Sequence, residues 1–228
     1  MIDAVRDYRR VVLEVARKDL LVELRSRQVL NTAVVFSLLV VVIFAFSFAR
    51  SFQDVGVVAS GALWIAFVFA GTFGVSQSAA SEEADAGLDG LLLVPVDRSA
   101  IYVGKVVSNT AFTTAVALVT LCCTVVFLGF DVDPASIPLL LLVVVLAAFG
   151  FTSTGVLIAT MTTRARLREL LLPLLLVPLV IPVLLAGVEL TRAITDGLPT
   201  ASWLQLLLVY DGVLFLTGLA TFEYVVER

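Results

Sequence analysis

The chain has 228 residues, of which 60% are hydrophobic and only 15% charged, with a mean hydropathy of +1.08 and a net charge of −4. Soluble domains run to about 45–50% apolar and about 25% charged residues, so this composition excludes an ordinary soluble domain. The length suits one membrane domain and leaves no room for a separate soluble catalytic one.

The sequence contains no histidine, which removes the commonest general base and the commonest metal and haem ligand. The two cysteines are adjacent, Cys122 and Cys123, inside an apolar run. That spacing gives neither a disulfide framework nor a zinc site, and they read as small lipid-facing or packing side chains. No metal site and no nucleic-acid partner is expected.

Residues 1–29 begin the chain as an amphipathic helix. Ile2, Val5, Tyr8, Val12, Val15, Ala16 and Leu20 share one side of a helical wheel, and Asp3, Arg6, Asp7, Arg10, Glu14 and Arg17 share the other. The pattern predicts a helix in the membrane interface, its apolar face in lipid and its arginines near phosphates. A plain anchoring helix fits the same residues. Asp19 and Glu23 interrupt the apolar side near its end, and Glu23 stands four residues before Arg27, a spacing suited to an ion pair at a bend.

Six apolar runs follow, at 30–49, 57–79, 106–130, 137–161, 170–188 and 203–222. Each meets the roughly 20 residues that a helix needs to cross the hydrocarbon core. The first is too long for the core of a cleaved signal peptide and no small-x-small site follows it, so it is expected to stay as a signal anchor. Thirteen of the fifteen basic residues fall on one side of this arrangement: seven before the first span, Arg98 and Lys105 after the second, three after the fourth, and Arg228. Only Arg50 and Arg192 lie opposite. The positive-inside rule then predicts that both termini are cytoplasmic.

The second span carries Ala62, Ala66, Ala70, Gly74 and Ser78, a small residue at every fourth position. Such a stripe admits a close helix neighbour, from the same chain or from a second copy. The connection at 80–105 is the longest on the cytoplasmic side. Ser81 is its expected N-cap, and Glu82, Glu83 and Asp85 would occupy a first turn, where the helix dipole favours acids. Leu88, Leu91, Leu92 and Leu93 supply an apolar side and Pro95 ends the helix. The segment reads either as a short helix held by a partner or as a solvated acidic loop.

The fifth span contains Pro173, Pro178 and Pro182. Each removes a backbone donor, so the helix is expected to bend, lining a crevice or moving part or simply bent in place. Asp211 in the sixth span is the one acid well inside an apolar run. A carboxylate there costs at least ~2.5–3.5 kcal/mol on insertion scales and should face protein or water. The competing placement, near the outer surface, would leave only Gly212 to Phe222 as apolar length.

The chemistry of an enzyme is missing. Gly104-Lys105 lacks the upstream glycine and the following Ser or Thr of a phosphate loop. The DAGLDG stretch invites comparison with membrane phosphoalcohol transferases, but Asp89-Gly90 runs into LLLVP without the arginine and later aspartates of their metal site.

The assembled parts resemble the CcmB family, the permease subunits called haem exporter protein B among the ABC-2-like transporters, over nearly the full length. The resemblance rests first on SEEADAGLDGLLLVPVDRSAIYVGKVVSN. It extends to LRSRQVLNTAVVFSLLVVVIF at the first span, LLLPLLLVPLVIPVLL in the fifth and the closing YDGVLFLTGLATFEYVVE. Asp89 and Gly90 depart from a more usual glutamate-polar pair, and Ser81 stands near a position that is often aromatic.

The resemblance implies an all-α, six-span membrane protein with an interfacial N-terminal helix, in the plasma membrane of a prokaryote. It implies a cytoplasmic coupling helix docked in a groove of a separate ATPase subunit, CcmA, with Glu82, Glu83 and Asp85 as polar contacts and Leu88 and Leu91 as packed ones. It also implies a pair of permease copies working beside CcmC and the haem chaperone CcmE. ATP would then act through the partner, haem would be the substrate class, and no cofactor would be covalently bound. The resemblance leaves open whether haem itself crosses. A general ABC-2-type exporter of another cargo, a lipid-linked sugar or a drug, shares the same six spans and loop.

Overall fold

The computed structural model describes residues 2–26, 28–48, 55–84, 97–162 and 168–226. Among these the chain forms seven α-helices: α1 (Ile2–Ser26), α2 (Gln28–Phe48), α3 (Val55–Ala84), α4 (Arg98–Leu128), α5 (Ile137–Thr162), α6 (Arg168–Thr195) and α7 (Ala201–Val226). Helices α2 to α7 are each long and apolar enough to cross a membrane, and the protein is an all-α integral membrane protein.

Local chemistry sets several ends. Asp97 caps α4, its carboxylate accepting the Ser99 N–H at 3.0 Å, and Gly129 ends the helix at φ 67°. Asp133 likewise caps the short 3-10 turn Pro134–Ser136 that leads into α5. At the end of α6, Gly197 takes φ 67°. The Leu198 N–H then reaches the Ala193 carbonyl at 2.8 Å, the six-to-one bond that satisfies a helix end.

Helices α4 and α5 stand at the centre. Helix α2 packs on α3 and α4, α7 packs on α5, α6 and α4, and α3 bridges to both α5 and α6. In lipid the hydrophobic effect gives no drive for helices to associate, so close packing and polar ties must do so. The small-residue stripe serves that end within one chain. Ala62, Ala66, Ala70 and Gly74 are all buried, and Ala70 packs with Ala33 of α2 and with Phe112 and Val116 of α4. A Cβ on Gly74 would come within 2.7 Å of the Phe112 ring. At the end away from α1, the Trp64 indole N–H donates to the Thr191 hydroxyl at 3.0 Å, joining α3 to α6.

Three expectations need revision. Helix α3 runs unbroken through Ala84, so Ser81 does not cap a new helix, and Glu82 and Glu83 lie in the final turn of the second span's own helix. The connection is shorter than 80–105, because α4 starts at Arg98, and Lys105 is buried in a helix. Helix α1 turns its apolar side to protein: Val15 and Ala16 are buried, and the helix packs mainly on α4.

Candidate functional site

Three places carry the candidate residues. The first is the acid-rich connection between α3 and α4. Its residues Asp85, Leu88 and Leu91 lie outside the described residues, as does Arg27, the expected partner of Glu23. Glu82 and Glu83 are placed as backbone in the last turn of α3.

The second is a polar foot where that connection joins the bundle. Helix α1 approaches α4 closely because position 104 is glycine. A Cβ there would meet the Val15 side chain at 2.8 Å and the Val12 carbonyl at 3.0 Å. The approach carries Asp19 over the first turns of α4. Its carboxylate lies 4.0 Å from the Lys105 ammonium, whose side chain is 3% exposed, and 3.3 Å from Lys18 at the rim. Ser108 donates to Asp19 at 3.5 Å. Asn109 donates to the Ser78 hydroxyl of α3 at 3.4 Å and to the Lys105 carbonyl at 3.0 Å. Tyr8 and Ser99 join their hydroxyls at 3.3 Å. Burial, with a smaller contribution from Asp19, pushes the Glu23 carboxyl on the same face of α1 up to about 7.

Sequence reading registers Asp19 only as an interruption of an apolar stripe. Its answer, one of just two lysines in the chain, lies 86 positions later. An acid on the buried side of an amphipathic helix is the signal that a cation or hydroxyl must meet it.

The third place lies within the spans. Asp211 is 2% exposed, and its carboxylate occupies the space that a Cβ on Gly150 would take. Helix α7 thus lays its one buried acid against the bare backbone of α5. Neither carboxylate oxygen has a hydrogen-bond partner among the described residues. The neighbouring Tyr210 reaches the other way, its hydroxyl donating to the Leu179 carbonyl of α6 at 2.8 Å. Leu179 stands one turn before Pro182, where the proline ring disturbs the helix ladder.

Pro178 is exposed on α6, Pro173 and Pro182 are half-buried, and α6 continues through all three. Asp211 is closed over by α5. Sequence reading has no means to find Gly150, since nothing in the order of residues marks which glycine faces which acid. Among the described residues, no three of His, Cys, Asp and Glu gather as metal ligands do.

Comparison with known proteins places this arrangement. The family model described as CcmB protein matches residues 10–225. The chain is also 28% identical over 192 residues to Heme exporter protein B of Pseudomonas aeruginosa, covering 84% of this chain and 85% of that one. The matched region includes Asp19 and Lys105 of the polar foot, the acid-rich connection and all six spans, and the chain belongs to the CcmB protein family.

Proposed function

We propose that the chain is the permease subunit of an ABC-type complex serving cytochrome c maturation, moved by a separate ATPase. The observation that carries this is the family match across residues 10–225 of a six-span, all-α chain, supported by a relative named Heme exporter protein B. The chain has no phosphate loop, so ATP hydrolysis belongs to the partner. The arginine-rich end, with both termini, faces the cytoplasm.

In this reading the ATPase holds the connection between α3 and α4. Glu82, Glu83 and Asp85 make polar contacts, and Leu88 and Leu91 fill the groove. Small interfaces rest on a few buried anchors, so leucine changes should weigh more than acid changes. Leu88→Asp is expected to release the ATPase while the permease stays inserted, and full copurification of the ATPase would show that the docking residues lie elsewhere.

Two permease copies then pair beside a CcmC-like haem-handling subunit and a CcmE-like chaperone, with haem as the cargo class. The chain offers no histidine as an axial ligand. That favours mechanical coupling, in which the permease drives release of the haem-loaded chaperone, over carriage of ligated haem.

The deciding experiment is a covalent-haem stain of membranes from a strain lacking this gene, with and without the gene restored. Loss of all c-type bands, regained on restoration, is the expected result. Unchanged bands would overturn the assignment and leave an exporter of another cargo.

A further inference from the structure

The polar foot holds both ends of the α3–α4 connection. On the outgoing side, Ser78 near the end of α3 is tied to Asn109. On the returning side, α4 begins at Arg98 behind its Asp97 cap, and its first turns carry Lys105 and Ser108 under Asp19 of α1. Helix α1 therefore rests on the stretch of α4 that any pull on the connection would move first.

The contact mixes two kinds of residue. Val15, Val12 and Gly104 give close apolar packing, which is enough for adhesion. Beside them, Asp19 and Lys105 bring opposite charges together at 12% and 3% exposure. A buried pair gains little over apolar residues of the same size, because desolvation offsets the attraction. Its distinctive property is directional: sliding or rotating α1 against α4 draws Asp19, together with Lys18 on its own helix, away from the buried Lys105. Apolar contacts of similar area would tolerate that movement.

We infer that the Asp19–Lys105 pair is a positioning contact that makes α1 follow α4, so that a pull from the ATPase on the α3–α4 connection reaches α1 as well as the spans. This rests on the proposed ATPase docking. Ser108 fixes the height of Asp19 on α4, and Asn109 keeps the end of α3 in the same unit.

The test uses the full chain with its ATPase in the native membrane. Four forms are compared: the natural chain, Asp19→Asn, Lys105→Met, and the exchange Asp19→Lys with Lys105→Asp. Each is scored for membrane level, copurified ATPase and covalent-haem signal. Both single variants should keep their level and their ATPase yet lose signal by about 5–150-fold, the usual range of coupling between sites. The exchange should recover most of the loss, since it restores a pair of opposite charges.

Full signal from both single variants would overturn the inference. So would an exchange no better than the singles, or single variants that lose membrane level and ATPase together, which would make the pair a fold contact only. A natural chain that retains no ATPase, or whose deletion leaves the haem signal untouched, would sink the proposed function first and this inference with it.

Discussion

Asp211 owes its place to what Gly150 lacks. A carboxyl group at this depth is expensive, and here it is accommodated by bare backbone on α5. Gly150→Ala would push a methyl group into the carboxylate and should cost about 1–3 kcal/mol, the usual scale of overpacking. With Asp211→Ala in the same chain the opposing group is gone, so the two losses should fall well short of additive. Unfolding of the four forms in detergent measures this, and simple additivity would show that the contact does not govern the site. Asp211→Asn keeps the shape and should slow function without preventing assembly.

Glu23 makes a second residue-scale case. Its carboxyl titrates near 7 in the docked helix against 4.5 when exposed. Between those values the docked form keeps a proton that the undocked form gives up, so docking of α1 weakens as pH rises through that window. Asp19, Lys18 and Lys105 face the same region. Glu23→Gln should hold α1 equally well at pH 5 and pH 8, read as protection of its amides from exchange. A variant that kept the natural pH dependence would assign it to those neighbours.

At the scale of elements, α1 departed most from expectation. The wheel of α1 correctly separates an apolar side from a charged one, yet it carries no sign of whether lipid or protein covers the apolar side. The structure gives that side to α4 at Gly104. Gly104→Ala would press on the Val12 carbonyl, a backbone atom that cannot rotate away. The expected result is loss of amide protection in α1 with α2 to α7 unchanged, and an unaltered α1 would mean the helices can separate at no cost. Helix α6 continues through its three prolines, and a buried stripe, Leu172, Leu176, Val180, Val183, Ala186 and Leu190, runs along it. The Tyr210 hydroxyl meanwhile reaches the carbonyl at Leu179.

At the scale of the molecule, the six spans were legible because crossing a bilayer demands about 20 apolar residues in a row and little else produces such runs. Their ends were less legible. Helix α4 starts well before the apolar run at 106 because α1 covers its first turns, so Lys105 needs no contact with water or lipid. Helix α3 outlasts its apolar run because Ser81, Glu82 and Glu83 continue a helix already formed. The pairings among spans were hidden for a physical reason. In lipid the outer and inner faces of a helix are equally apolar, so periodicity does not mark the contact side. The small-residue stripe of α3 was the exception, since only close packing explains it, and even there the sequence could not say that Phe112 fills the space.

The seat of α1 has a consequence for how the protein is made. Ser108 lies 89 positions after Asp19, with two spans between them. At synthesis rates of about 5–20 residues per second, roughly 4–18 s separate the two residues at the ribosome. During that interval the first helix has no α4 to rest on, and its apolar side, Asp19 included, must wait at the membrane surface. The bilayer therefore acts as a temporary partner for a face that protein later takes over, and the arginines on the opposite side keep the helix from being drawn across while it waits.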